Sequence, residues 1–141
     1  MRKSAIRLIA AVTIVAVPAI ALAETSLYTG KGTDDPQAKI TLRVANNDGD
    51  RTIRRVTTEG LRYVNGVALC SATDRTPVVR IVGPFNVREN REFRAVGQAT
   101  SGLGELRVTG ELGPLRARGE MRFTFGKDGC RTTLTEWKAR R

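Results

Sequence analysis

Any chemistry in this chain falls to carboxylates, guanidinium groups and two cysteines, because its 141 residues include no histidine. That removes the usual general base, the Ser-His and Cys-His nucleophile pairs and the commonest zinc ligand. Two carboxylates alone can still hydrolyse a glycoside. The candidates are Asp34 with Asp35 and Glu89 with Glu92. Neighbours on a strand point to opposite faces, and both pairs sit among turn-forming residues, so they read as solvated loop charges. The run 46–50 has a calcium-loop flavour. With Gly49 at the sixth position, however, Val44 stands first and Arg55 twelfth, where carboxylates are required. Gly102, Leu103 and Gly104 make too short a segment for a phosphate loop. No catalytic, metal-binding or cofactor-binding residue is expected.

What the chain has in excess is positive charge. Residues 24–141 carry 21 Lys and Arg against 14 Asp and Glu, a net +7, and 17 of those 21 cations are arginine. Arginine pairs with carboxylates and phosphates through a two-pronged fork, so such a surplus points to an anionic partner. The competing reading is a solvated arginine surface with no partner at all. The arginines with fewest neighbouring carboxylates are Arg54, Arg55 and Arg62, and Arg88, Arg91 and Arg94. These six are the candidate anion-binding residues. Nucleic acid is not expected, because a binding platform also needs stacking aromatics. Phe85, Phe93, Phe123 and Phe125 fall on expected core faces, leaving only Tyr28, Tyr63 and Trp137 for presentation.

Compartment narrows the partner further. Arg2, Lys3 and Arg7 precede an apolar run from residue 8 to 22 that ends in Ala21, Leu22 and Ala23. That is signal-peptide anatomy, with cleavage expected before Glu24. The run is shorter than a bilayer-spanning helix and Pro18 interrupts it, so a retained anchor is disfavoured. Residues 1–23 are thus read as the leader and 24–141 as one exported domain, periplasmic or secreted. In an oxidising compartment a lone cysteine pair becomes a disulfide, here Cys70 with Cys130. A reactive thiol pair or a metal site is the weaker alternative.

The elements that position these groups read as strands. The 14 glycines punctuate recurring period-two alternation, and no long helical stripe interrupts it. Ile40, Leu42 and Val44 alternate with Lys39, Thr41 and Arg43 before the turn-rich run 46–50. Residues 52–58 read as a second strand and 66–70 as a short third. Residues 78–82 are nearly all apolar, which predicts a central strand buried on both faces, interrupted by Gly83 and Pro84. Phe93 and Ala95 open the next strand.

Gly113 and Pro114 separate two alternating arms, 105–112 and 115–125, and predict a tight antiparallel hairpin. With Leu112 facing Leu115, Glu111 meets Arg116, Arg107 meets Glu120 and Glu105 meets Arg122. Leu106, Val108 and Gly110 then meet Met121, Gly119 and Ala117 on the other face. The final strand, 130–139, contains a conflict, since Leu134 and Trp137 are three apart and cannot share a regular face. A bulge that re-aims one of them is preferred over an outward Trp137.

The spacing of Gly83-x-Phe85, Val108-x-Gly110, Ala117-x-Gly119 and Cys130 with Trp137-x-Ala139 resembles a group of small exported bacterial β-proteins of unknown function. Tyr28-Thr29-Gly30 and the mid-chain Cys70 match its opening, while Thr133 departs from an expected glycine. The resemblance implies an antiparallel sandwich or flattened barrel with one disulfide, and no activity. The expectation is therefore a single all-β antiparallel domain that binds an anionic envelope polymer or an acidic exported protein without catalysis. The alternative is a small hydrolase, or an enzyme inhibitor acting through a loop.

Overall fold

The computed structural model describes residues 24–64, 70, 73–102, 104–125 and 130–141. The expected leader at 1–23, residues 66–69 of the expected short strand at 66–70, and the expected turn at 126–129 lie outside them. Eight strands form one antiparallel sheet: β1 (Glu24–Gly32), β2 (Lys39–Asn47), β3 (Asp50–Glu59), β4 (Val79–Asn86), β5 (Glu92–Gln98), β6 (Gly104–Leu112), β7 (Arg116–Phe125) and β8 (Thr135–Arg140). Their order, β4-β3-β2-β1-β8-β7-β6-β5, is two meanders joined where β1 pairs with β8. The sheet curls until β4 lies against β5. There the ladder gives way to a Val87–Phe93 bridge at one end and a Thr100 N–H donating to Arg80 O at the other. The result is a nearly closed barrel rather than a two-sheet sandwich.

Alternation fills this barrel. Ile40, Leu42 and Val44 from β2, Ile53 and Val56 from β3, and Leu106, Val108 and Leu112 from β6 are all buried. Small barrels are packed with side chains in this way. The outer face carries charged rows, the reverse of a lipid-facing barrel. No helix among the described residues is long and apolar enough to cross a membrane. The β2–β3 reversal is a two-residue turn in which Asp48 and Gly49 both take positive φ and the Gly49 N–H donates to the Asn46 side chain. That conformation matches strand twist, which is why the run 46–50 ends one strand and starts another.

Two local expectations need correction. Residues 78–82 do not form a strand buried on both faces. The single curled sheet buries only one face of each strand, so Val79 and Ile81 point inward while Val78 and Val82 remain 53% and 59% exposed. β4 also runs on through Gly83-Pro84 to Asn86, although its pairing with β3 slips there, from Val82 opposite Arg55 to Phe85 opposite Ile53. In the last strand Trp137 is buried and Leu134 exposed. The change of face comes at 133–134, between the bridged residues Arg131 and Thr132 and the start of β8.

The hairpin of β6 and β7 is antiparallel with the expected faces, but its register differs by two residues. Leu112 pairs with Ala117, Val108 with Met121, Leu106 with Phe123 and Glu111 with Arg118. Arg107 therefore stands opposite Arg122 rather than Glu120, and Glu105 opposite Thr124 rather than Arg122. The cause is the turn. A two-residue hairpin loop needs positive φ, whereas proline fixes a negative φ and restrains the residue before it. None of residues 113–115 takes a positive φ, and the Gly113 N–H closes the loop on Arg116 O. Because the shift is even, every side chain keeps its face.

The opposed glycines of this hairpin shape the core. Phe93, Gly110, Gly119 and Trp137 occupy one cross-strand row. With no side chains on the two middle strands, the rings of Phe93 and Trp137 meet over them at 6.2 Å. A Cβ at Gly119 would run into Thr109 O, and one at Gly110 into Arg118 O.

Both ends of the barrel are tied. At one end, the Tyr28 hydroxyl donates to Gly113 O at 2.8 Å and Arg51 Nη1 donates to the same oxygen at 3.1 Å. The 113–115 turn is thus held from β1 and β3. At the other end, residues 62–64 run beside 131–133, with Tyr63 bridged to Thr132, and Cys70 is bonded to Cys130. Leu61 and Tyr63 are buried beneath that cover.

Candidate functional site

Cross-strand register decides which cations become neighbours. Lys39 on β2 stands opposite Lys31 on β1, Lys31 opposite Lys138 on β8, and Lys138 opposite Arg118 on β7. Four like charges thus form one ladder across four strands, and all four are exposed. At strand spacings of about 4.8 Å it is about 14 Å long. Carboxylates bound it at both ends, Glu59 opposite Lys39 and Glu111 opposite Arg118. Like charges placed directly opposite each other destabilise a sheet.

A second row runs parallel, two residues along each strand. Thr29 on β1 pairs with Arg140 on β8, which pairs with Arg116 on β7. Between the rows lie Gly30, Ala139 and Ala117, small residues with consecutive register. Ala139 and Ala117 are buried and turn inward, so on the outer surface only backbone separates the two rows, and an open trough runs there with cations on both banks. Arg91 lines it from the β4–β5 turn, where its carbonyl accepts the Leu112 N–H. Seven cations line the trough against one carboxylate, Glu111. That carboxylate accepts from Arg118 at 3.2 Å. Among the described residues Lys31, Lys39, Arg91, Arg116, Lys138 and Arg140 have no ion-pair partner.

The two-residue register shift matters here. In the expected hairpin Glu111 would have neutralised Arg116. In the structure Arg118 takes Glu111, and Arg116 stands beside Arg140 on the same bank of the trough. Arg116, Lys31, Lys39, Lys138 and Arg140 were not among the six expected cations. Their signal is nonlocal, since the ladder exists only once β1 and β8 pair.

The six expected arginines are dispersed. A register irregularity between Ile53 and Arg55 turns Arg54 and Arg55 outward together, and Arg55 stands opposite Arg43. Arg62 lies beyond the end of β3, exposed and bridged to Arg75. Arg88 and Arg94 border a second open trough, over Gly110 and Gly119, together with Glu92, Glu111, Glu120 and Glu136. Four cations and four carboxylates line that trough, so its charges balance. Arg91 alone of the six joins the cationic trough.

The expected carboxylate pairs remain surface groups. Asp35 is bound to Arg75 at 2.7 Å, Asp34 is exposed, and Glu89 and Glu92 are exposed around the β4–β5 turn. No group of three potential metal ligands occurs among the described residues. The aromatics expected to be presentable are not. Tyr28, Tyr63 and Trp137 are 2%, 7% and 1% exposed, because each points into the barrel or beneath its cover. Compared with protein-family models, curated proteins and solved structures, the chain gives no match.

Proposed function

We propose that this protein is an exported, non-catalytic binding module. It holds an anionic polymer of the cell envelope, or the acidic face of another exported protein, in the trough between the Lys39–Arg118 ladder and the Arg116–Arg140 row. One observation carries this reading: a ladder of directly opposed like charges in which, among the described residues, only the terminal Arg118 is paired with a carboxylate. Such a ladder costs stability in the free protein and is relieved when an anion lies along it. The disulfide suits an oxidising, extracytoplasmic setting, and the leader-like residues 1–23 supply a route to it.

Binding is favoured over hydrolysis because the carboxylates that come together, Glu92, Glu111, Glu120 and Glu136, are all exposed. A general acid is ordinarily made by burying a carboxyl group, and these have no such shelter. Nucleic acid lacks its stacking platform, since the three aromatics that could have provided one are inside.

The test compares two variants of equal charge on an anionic chromatography matrix. One is Lys31→Gln/Arg116→Gln/Arg140→Gln, and the other is Arg54→Gln/Arg55→Gln/Arg62→Gln. Each loses three positive charges, so a response to net charge alone shifts both elution points equally. The expected result is early elution of the trough variant only. Equal displacement would leave the charge without a site.

A further inference from the structure

The cationic ladder has ends, and this limits what can lie on it. Its order across the sheet is Glu59, Lys39, Lys31, Lys138, Arg118, Glu111, Glu92. Four cations in consecutive register are flanked by a carboxylate on one side and two on the other. A polyanion running perpendicular to the strands meets attraction over four steps and repulsion beyond them. The steps are set by the backbone, at about 4.8 Å each. That is close to the advance of one sugar in an extended polysaccharide.

We infer that the trough takes one finite stretch, about four units long, of a polysaccharide bearing a carboxylate on every sugar, laid across β2, β1, β8 and β7. This rests on the proposed binding role of the same trough. Ala139 and Ala117 turn inward with Gly30, so on the outer face only backbone lies between the two rows and the sugar backbone can rest on it. The carboxylates on one edge then reach the ladder, and Arg140 and Arg116 lie along the opposite edge. A polymer with carboxylates on alternate sugars would meet only every second cation. A chain running along the strands would leave the ladder after one residue.

Purified oligogalacturonates of two to eight units, titrated at low salt, test this. Affinity is expected to rise about tenfold or less with each added unit up to four. Beyond that it should change only by the small statistical factor of additional binding frames. Hyaluronan fragments, with carboxylates on alternate sugars, should bind more weakly at equal charge, and methyl-esterified oligogalacturonates should not bind. Lys39→Gln, at the end of the ladder, should make the tetramer bind like the trimer. Lys31→Gln/Lys138→Gln, in its middle, should abolish the length dependence while the thermal midpoint stays at or above that of the unmodified protein. Affinity that keeps climbing by the same factor from five to eight units would overturn the finite site. Hyaluronan fragments binding as tightly at equal charge would overturn the one-carboxylate-per-sugar ligand. If no oligogalacturonate binds while the trough variant still elutes early from the anionic matrix, this inference fails and the binding role stands. If neither effect is seen, both fail.

Discussion

Lys31 and Lys138 face each other on neighbouring strands with no carboxylate between them. A residue kept there for binding works against the fold that carries it. Replacing Lys31 by glutamine should therefore raise the thermal midpoint by about 1–5 °C, as expected for relief of one opposed pair in a domain of this size, and weaken retention on an anionic matrix. Differential scanning fluorimetry and elution salt read the two effects on one sample. A fall in both would mean that the lysine stem holds the sheet together. Tyr63 reports on the end of the barrel that carries the disulfide. Its burial pushes the phenol above its ordinary value of 10.0. The stability from keeping that proton is intact below pH 10. It is lost as pH rises from 10 through the raised native value, because the unfolded chain ionises first. Denaturant midpoints measured from pH 9 to 11 should fall, and Tyr63→Phe should flatten part of that fall.

The β6–β7 hairpin shows what a strand pattern reveals and what it withholds. Its inward residues were legible because alternation alone sets the face, and Leu106, Val108, Met121 and Phe123 are buried as expected. Its register was not, because that depends on a turn whose proline excludes the tightest loop. Charge complementarity pointed to a different pairing, but exposed pairs are worth about 0.2–1 kcal/mol each and do not override turn geometry. The burial of β4 was misread for a related reason. A run such as 78–82 fits a two-sided strand equally well, and only the architecture, one curled sheet with no layer outside it, distinguishes the cases. The opposed Gly110 and Gly119 give the element its strictest requirement. Gly119→Val would push a side chain into Thr109 O and spread the β6–β7 ladder. It should cost about 2–4 kcal/mol, visible in a urea titration, by overpacking and lost pairing together. The exposed Thr124→Val, on the same strand, should cost far less.

At the scale of the whole molecule, the chain ends make the site. Pairing of β1 with β8 joins the two meanders and also brings Lys31 beside Lys138. Fold class, the disulfide and the inward faces could be read from neighbouring residues. The ladder could not, since Lys31 and Lys138, which join its two halves, lie more than a hundred positions apart in sequence. The Cys70–Cys130 bond fastens the end of the barrel away from the 113–115 turn and closes a loop with a sequence separation of 60. Cys70→Ser/Cys130→Ser should lower stability by about 2–5 kcal/mol, chiefly by freeing the unfolded chain. If the variant remains folded, it should still bind anions, since Lys31, Lys39, Lys138 and Arg140 lie outside the closed loop and Arg116 is held by the β7–β8 ladder.

The central claim is a place, and mapping that place by amide NMR tests it most directly. Titrating oligogalacturonate into the isotope-labelled protein at low salt should perturb Gly30, Lys31, Arg116, Ala117, Lys138 and Ala139 together. Arg54, Arg55 and Arg62 should stay close to their free positions, and the perturbations should reverse when salt is raised. Shifts centred on the Arg43, Arg54 and Arg55 face, or spread evenly over every exposed cation, would contradict it.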